Sequence, residues 1–213
     1  MLQAHQKQLL LTGIVYKTSI TQTFKWFRDP RTGVDGCCGM YDGHFCILFR
    51  QTDEDKDWIT NLLYFKKKTM LYANSKNSKV RIHGKYSDGY VSPSVRGVIH
   101  KEYPAYAGLP IFVGGFSQGG GLAPICALDM QYNFNITDIE CIMISPLRVF
   151  NNAGFKSYSR RVPNTARYVW GNDIVTKVPR CSSGLLMWAP NELSDLSAFG
   201  GSLVCQLTQN IKS

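Results

Sequence analysis

Ser117 stands at the centre of the sequence Gly115-Phe116-Ser117-Gln118-Gly119. An apolar run at residues 109–113 precedes this pentapeptide, and a glycine-rich and then apolar stretch follows it. The pattern predicts a tight turn from a strand into a helix, which presents the serine hydroxyl at one edge of a sheet. Glycines favour such a turn, because a Cβ beside the serine would collide with the strand or the helix. A serine placed in this way is typical of a nucleophile that forms an acyl-enzyme.

A nucleophilic serine needs partners, because a lone G-x-S-x-G pattern also occurs in glycine-rich turns without catalytic function. Asp173 is the candidate for the acid that orients a general base. It comes just after an apolar run at residues 165–170, and it follows Ser117 in the chain order of α/β hydrolases. The alternative is a surface aspartate that caps a turn.

Alternating apolar runs and helical segments predict the elements that must position these residues. Strands are expected at residues 44–50, 109–113, 140–145 and 165–170. A helix is expected from about residue 93 to 103, ending before Pro104, and another from the serine turn through about residue 132, with a kink at Pro124. Together these elements predict an α/β fold with a mainly parallel central sheet and helices on both faces.

The 213 residues are enough for one domain, which we expect to span residues 1–213. No run of about 18 apolar residues indicates a transmembrane segment. The N-terminal residues lack the pattern of a signal peptide, which favours an intracellular, cytoplasmic protein. The seven cysteines show neither a disulfide framework nor metal-ligand spacing, so we expect buried thiols in a reducing compartment, no metal site and no cofactor.

The formal net charge of +9 could favour nucleic acid or an anionic lipid surface. Basic residues cluster only at residues 66–68 and 160–161, and no nucleic-acid-binding motif accompanies them. We therefore expect no nucleic-acid partner, while attraction to an anionic lipid interface stays open.

Three further pairs of short segments, taken in chain order, resemble motifs of the fungal-type, class 3 lipase family over roughly residues 40–180. The matching segments are Phe49-Arg50-Gln51-Thr52 with Asp57-Trp58-Ile59-Thr60-Asn61-Leu62, then Ser145-Pro146-Leu147-Arg148-Val149 with Phe155, and Asn172-Asp173-Ile174-Val175 with Val178-Pro179. The turn that carries Ser117 has the sequence G-F-S-Q-G-G, which is the form found in carboxylesterases and acyl-protein thioesterases. The class 3 lipase family usually has G-H-S-L-G-G there. The resemblance implies an α/β-hydrolase fold.

The same resemblance implies roles for residues around the serine. Thr52 would supply one oxyanion-hole donor, and the backbone N–H of Gln118 the other. Residues 53–65 match the family's lid region, in which Trp58, Leu62 and Leu63 would close an acyl pocket or face lipid. The alternative is that these three side chains are core contacts of an ordinary amphipathic helix.

The general base has no obvious candidate, because all four histidines precede Ser117. In the family the catalytic histidine follows the aspartate, in a pattern like D-H-S-hydrophobic. The best match here, Gly200-Gly201-Ser202-Leu203, has Gly201 at the histidine position, and a looser match has Asp195 there. Either an upstream histidine is recruited across the fold or the base is missing.

Three functions follow from these residues. The first is a lipase that hydrolyses lipid esters through a Ser117 acyl-enzyme, with Asp173 as orienting acid. The second is an inactive hydrolase fold that binds lipid or a protein partner. The third is an esterase or thioesterase acting on small soluble esters, which the G-F-S-Q-G form suggests. Activation by aggregated substrate would separate the first from the third.

Overall fold

The computed structural model describes residues 1–51, 66–68, 79–169 and 192–193. The described strands are β1 (Lys25–Asp29), β2 (Val34–Tyr41), β3 (His44–Phe49), β4 (Lys66–Lys68), β5 (Arg81–His83), β6 (Ile111–Phe116), β7 (Ile139–Ile144), β8 (Thr165–Tyr168) and β9 (Glu192–Leu193). The described α-helices are α1 (Ala4–Tyr16), α2 (Ser19–Gln22), α3 (Gly84–Tyr90), α4 (Val98–Glu102), α5 (Gln118–Phe134) and α6 (Asn152–Arg161). A π-helical turn (Pro93–Gly97) precedes α4, and a 3-10 helix (Tyr103–Tyr106) follows it.

Seven of the described strands form one sheet in the order β1-β2-β3-β6-β7-β8-β9. The pairings β1-β2 and β2-β3 are antiparallel, and the pairings from β3 through β9 are parallel. β4 and β5 form a separate antiparallel ribbon. The carboxyl ends of β3, β6 and β7 therefore meet at one edge of the sheet, where a strand-to-helix turn presents its residues.

The alternation of side chains along β3 and β6 divides the core between the two faces of the sheet. Phe45, Ile47 and Val113 pack with residues of α5, whereas Leu48 and Phe112 pack with residues of α1. Helix α1 thus covers one face, and α3 to α6 cover the other. This arrangement confirms the predicted α/β fold with helices on both faces of a mainly parallel sheet.

The predicted strands are present with shifted ends, and the predicted helices differ from the structure in more than their ends. The strand before the serine is Ile111–Phe116, so it runs three residues beyond the predicted 109–113. The helix predicted at residues 93–103 is instead a succession of π, α and 3-10 turns that continues through Pro104. Helix α5 runs unbroken through Pro124 to Phe134. In the part of the chain that the structure describes, no helix has the length and apolarity to cross a membrane.

Candidate active site

Ser117 lies in the turn between β6 and α5, with φ 53° and ψ −112°. Its backbone N–H donates to the carbonyl oxygen of Ile144 at the end of β7 (2.9 Å), and its own carbonyl oxygen accepts from Gly121 (3.2 Å). A non-glycine residue at positive φ costs about 1–3 kcal/mol and persists where the surrounding structure holds it. The strand–turn–helix arrangement predicted from the sequence is thus present, with Ser117 held in a strained conformation at the carboxyl end of the sheet.

The two glycines of the pentapeptide allow the backbones around Ser117 to approach closely. A Cβ built on Gly115 would lie 2.2 Å from the carbonyl oxygen of Gly119. A Cβ built on Gly119 would lie 2.2 Å from the carbonyl oxygen of Phe49. The start of α5 therefore abuts the end of β3, and the segment that leaves β3 toward Thr52 begins beside the serine.

The N-terminus of α5 supplies the electrostatics that an oxyanion requires. Gln118 is the first residue of this 17-residue helix. The first backbone N–H groups of a helix have no partner within it, and the helix dipole adds a partial positive charge at the same end. Anions bind readily at such termini, so the N–H of Gln118 is suited to stabilise negative charge that develops on a carbonyl oxygen beside Ser117.

Several predicted site residues lie outside the described residues. They are Thr52, Trp58, Leu62, Leu63, Asp173 and Gly201. Their roles in the oxyanion hole, the lid, the orientation of a base and the position of the missing histidine stay predictions.

No imidazole hydrogen-bonds to Ser117 Oγ, although the structure describes all four histidines. His5 lies on α1 beside Gln6, whose side chain donates to Asp42 in the β2–β3 turn (2.6 Å). His44 begins β3. Both histidines are at the amino end of the sheet, so His44 lies roughly 20 Å along the strand direction from the serine.

The other two histidines are held by neighbouring side chains. His100 Nε2 lies 2.6 Å from Asp129 Oδ2, about 18 Å along the axis of α5 from Ser117. His83 is buried at the same end of the sheet as Ser117, where its backbone N–H donates to Val149 (2.8 Å) and its ring meets the Tyr86 ring edge-on at 5.1 Å. The alternative in which an upstream histidine is recruited as the base therefore has no hydrogen-bonded candidate among the described residues.

Asp129 is the centre of a buried polar cluster that sequence analysis missed. Its carboxylate is fully buried and accepts hydrogen bonds from Tyr90 Oη (2.7 Å), from Arg96 Nε and Nη2 (2.9 and 3.0 Å) and from Asn133 Nδ2, besides its contact with His100. Burial acts to raise the pKa of Asp129, but the hydrogen bonds from His100 and Arg96 hold that pKa below its usual value. The only signal in the sequence is a single aspartate within an apolar helical run.

A family model described as lipase (class 3) matches residues 46–183. Among solved structures, a lipase from Rhizopus microsporus var. chinensis is 23% identical, with a TM-score of 0.61 over 73% of this chain and 55% of that one. A triacylglyceride lipase from Rhizomucor miehei is 20% identical, with a TM-score of 0.65 over 78% of this chain and 64% of that one. A triacylglycerol lipase described as having a serine protease triad is 19% identical, with a TM-score of 0.64 over 81% of this chain and 68% of that one.

The chain thus spans between about half and two thirds of the length of these solved lipases. No curated protein sequence matches it.

Proposed function

The chain belongs to the class 3 lipase family, and on this basis we propose that it hydrolyses carboxylic esters of lipids through an acyl-enzyme on Ser117. The observation that carries the proposal is the conformation of Ser117, which is strained at φ 53° between a parallel strand and the N-terminus of α5. In this conformation a nucleophile gains exposure and a neighbouring oxyanion donor.

The reaction would proceed in two steps. Ser117 Oγ attacks the ester carbonyl carbon, a base takes the hydroxyl proton, and the backbone N–H groups of Gln118 and Thr52 bind the resulting oxyanion. Collapse of this intermediate breaks the ester C–O bond, and the alcohol leaves with the proton. Water then attacks the acyl-enzyme and releases the carboxylic acid. Asp173 would orient the base, as the aspartate of a Ser-His-Asp triad does. A serine protease triad forms the catalytic centre of the similar triacylglycerol lipase.

Replacement of Ser117 by alanine tests this proposal. We expect the unmodified chain to hydrolyse a short-chain lipid ester and to be labelled at Ser117 by a fluorophosphonate. We expect Ser117→Ala to lose the label and at least about tenfold of the rate, because the acyl-enzyme cannot form. Mass spectrometry locates the label, and titration of released acid measures the rate. Rates above and below the aggregation threshold of the substrate separate a lipase from a soluble esterase.

A second candidate function is binding of lipid without turnover. The observation that favours it is that none of the four histidines hydrogen-bonds to Ser117, and loss of a triad histidine costs on the order of 10⁶ in kcat. Equal slow hydrolysis by the unmodified chain and by Ser117→Ala, with no labelling, would contradict the first proposal and support this one.

Substitution of histidine for Gly201 tests whether a missing base limits the rate. The family pattern D-H-S-hydrophobic aligns without gaps on Gly200-Gly201-Ser202-Leu203. We expect Gly200→Asp with Gly201→His to raise the rate of ester hydrolysis at least about tenfold, because general-base catalysis typically contributes 10²–10⁴-fold. Gly200→Asp with Gly201→Gln is the matched control, since glutamine has similar bulk and cannot take the proton. An equal rate in both variants would exclude a base at this position.

A further inference from the structure

Resting on the function proposed above, we propose that Arg148 and Gln118 form a subsite beside Ser117 for the phosphate group of an anionic lipid ester. The two residues come from different elements. Gln118 begins α5, and Arg148 lies in the segment between β7 and α6. Each has hydrogen-bonding capacity that the described residues leave unmet.

The segment that carries Arg148 packs against the first turn of α5. A Cβ built on Gly120 would lie 3.2 Å from Pro146 Cβ, and one built on Gly121 would lie 3.1 Å from Val149 Cγ1. Arg148 is therefore between two residues that border this turn. Gly121 is four residues after Ser117, a distance of about one helical turn. The backbone of Arg148 is thus near the nucleophile at the carboxyl end of the sheet.

The guanidinium of Arg148 has no hydrogen bond or ion pair with the described residues, and its Nε is buried. Burial of a charged donor without a partner is unfavourable, because the group loses its hydration. The contrast with other arginines is clear. Arg50 pairs with Asp35 (3.6 Å), and Arg96 with Asp129 (2.9 Å). An unpaired, partly buried guanidinium on the segment that borders the first turn of α5 is suited to bind an anion.

Gln118 supplies a second unmet group at the same turn. Its side chain is 9% exposed, and Oε1 is buried without a hydrogen-bond partner among the described residues. Gln118 and Gly121 are three residues apart and thus neighbours on the helix surface, and Gly121 contacts the segment that carries Arg148. A carboxamide can turn through 180° and present its NH₂ group in place of its oxygen, so Gln118 can donate to an anion held by Arg148.

A phosphate ester fits this arrangement better than other anions do. The planar guanidinium binds two oxygens of a phosphate or a carboxylate at once. The carboxylate that ester hydrolysis generates forms at Ser117 itself, so an anion beside Ser117 must belong to another part of the substrate. In a glycerophospholipid the phosphate is only a few bonds from the ester that would be cleaved. The partial positive charge of the α5 N-terminus adds to the attraction.

The test is a binding experiment in which no ester is consumed. In the Ser117→Ala background, titration calorimetry measures the Kd of dihexanoyl phosphatidic acid and of neutral dihexanoylglycerol at 0.15 M salt. We expect the anionic ester to bind at least about tenfold more tightly. We expect Arg148→Gln to weaken its binding by about 10- to 100-fold, the range for a charged hydrogen-bonded pair, and to leave the neutral ester unchanged.

The matched control is Arg28→Gln, which removes the same charge from an exposed position on β1. We expect it to change neither Kd. Arg148→Lys keeps the charge and loses the planar guanidinium, so we expect it to weaken binding of the anionic ester several-fold. This variant replaces Arg148→Gln in the test if Arg148→Gln does not fold. The proposal is overturned if neither Arg148 variant weakens the anionic ester, or if Arg28→Gln weakens it equally. It is also overturned if inorganic phosphate binds as tightly as the anionic ester, because the site would then take free phosphate.

Hydrolysis of neutral dihexanoylglycerol by the chain with Ser117 intact separates the two proposals. This ester has no phosphate, so its turnover depends on the proposed function alone. Selective binding of the anionic ester without turnover would support the subsite and contradict hydrolysis. Turnover of the neutral ester without selective binding of the anionic ester would support hydrolysis and contradict the subsite.

Discussion

Replacement of Asp129 by alanine is expected to lower the free energy of unfolding by about 3–5 kcal/mol, as for other buried charge clusters that lose one partner. Asp129 accepts from Tyr90, Arg96, His100 and Asn133. Without the carboxylate, the buried donors among these groups lose their shared acceptor and the guanidinium loses its counter-charge. Because Asp129 lies on α5, the helix that begins directly after Ser117, the loss also weakens the attachment of that helix. Chemical denaturation followed by circular dichroism measures the change.

Asp138→Ala is the matched control. Asp138 is exposed just before β7, and no side-chain hydrogen bond or ion pair of its own is seen in the described part of the chain. An exposed position of this kind usually changes the free energy of unfolding by less than about 0.5 kcal/mol. A difference of less than about 1 kcal/mol between Asp129→Ala and Asp138→Ala would show that the cluster contributes little net stability.

The pH dependence of this stabilisation follows from the lowered pKa of Asp129. A carboxyl group that binds its proton less tightly in the folded state stabilises the fold above its unfolded pKa, and this stabilisation is lost as the pH falls through its folded pKa. The difference between the unmodified chain and Asp129→Ala is therefore expected to be full at pH 7 and to shrink below about pH 4. A difference that grows in acid would have the wrong sign.

The elements that the sequence predicted are those with a strong local signal. The strands at residues 44–50, 140–145 and 165–170 are short apolar runs, and all three are present within two residues of the predicted ends. The turn at Ser117 was predictable because Gly115 and Gly119 are required by backbone contacts of 2.2 Å. A local pattern sufficed in these places because the tertiary contact constrains the residue type directly.

The hairpin of β1 and β2 was not predicted, because the residue types of β2 are explained by tertiary packing and not by a local pattern. The strand β2 contains Gly36 and Gly39, which are poor strand formers. A Cβ on Gly36 would lie 2.5 Å from the Phe27 ring, and one on Gly39 would lie 2.8 Å from the Phe24 ring. These glycines thus make room for aromatic rings of the preceding segment, which no local periodicity reveals.

Helix α1 and the Asp129 cluster escaped prediction for a similar reason. Leu10, Leu11 and Ile14 are buried on the second half of α1, where they pack against the sheet, and the first half of the helix is largely polar. The partners of Asp129 come from α3, from the turns that follow it and from α4, up to 39 residues away in the chain. Their convergence depends on how α5 docks onto those elements. The sequence pattern predicted the turn at Ser117, but it did not predict the contacts that hold α5 in place.

Replacement of Gly119 by alanine is expected to lower the free energy of unfolding by about 3 kcal/mol, the upper end for overpacked sites. The added Cβ would lie 2.2 Å from the carbonyl oxygen of Phe49 and 2.8 Å from that of Arg50, and both distances are shorter than the ordinary contact range of 3.4–4 Å. Both atoms are backbone, so neither can move like the end of a flexible side chain. Relief requires that the start of α5 move away from the end of β3.

That movement is also expected to lower the reactivity of Ser117. The backbone N–H of Gln118 would shift with the start of α5 by about 1 Å, a misplacement that can cost about 10²-fold in rate. The rate of fluorophosphonate labelling of folded protein, measured well below the midpoint of denaturation, reports this effect separately from stability. Gly97→Ala is the matched control, because Gly97 has helical dihedral angles (φ −60°, ψ −39°) and its added Cβ would meet only Pro93 Cβ at 3.9 Å. Gly97→Ala should raise stability by about 0.4–1 kcal/mol through the unfolded state and leave labelling unchanged. If Gly119→Ala matched Gly97→Ala in both measurements, the close approach of α5 to β3 would not be what positions the nucleophile.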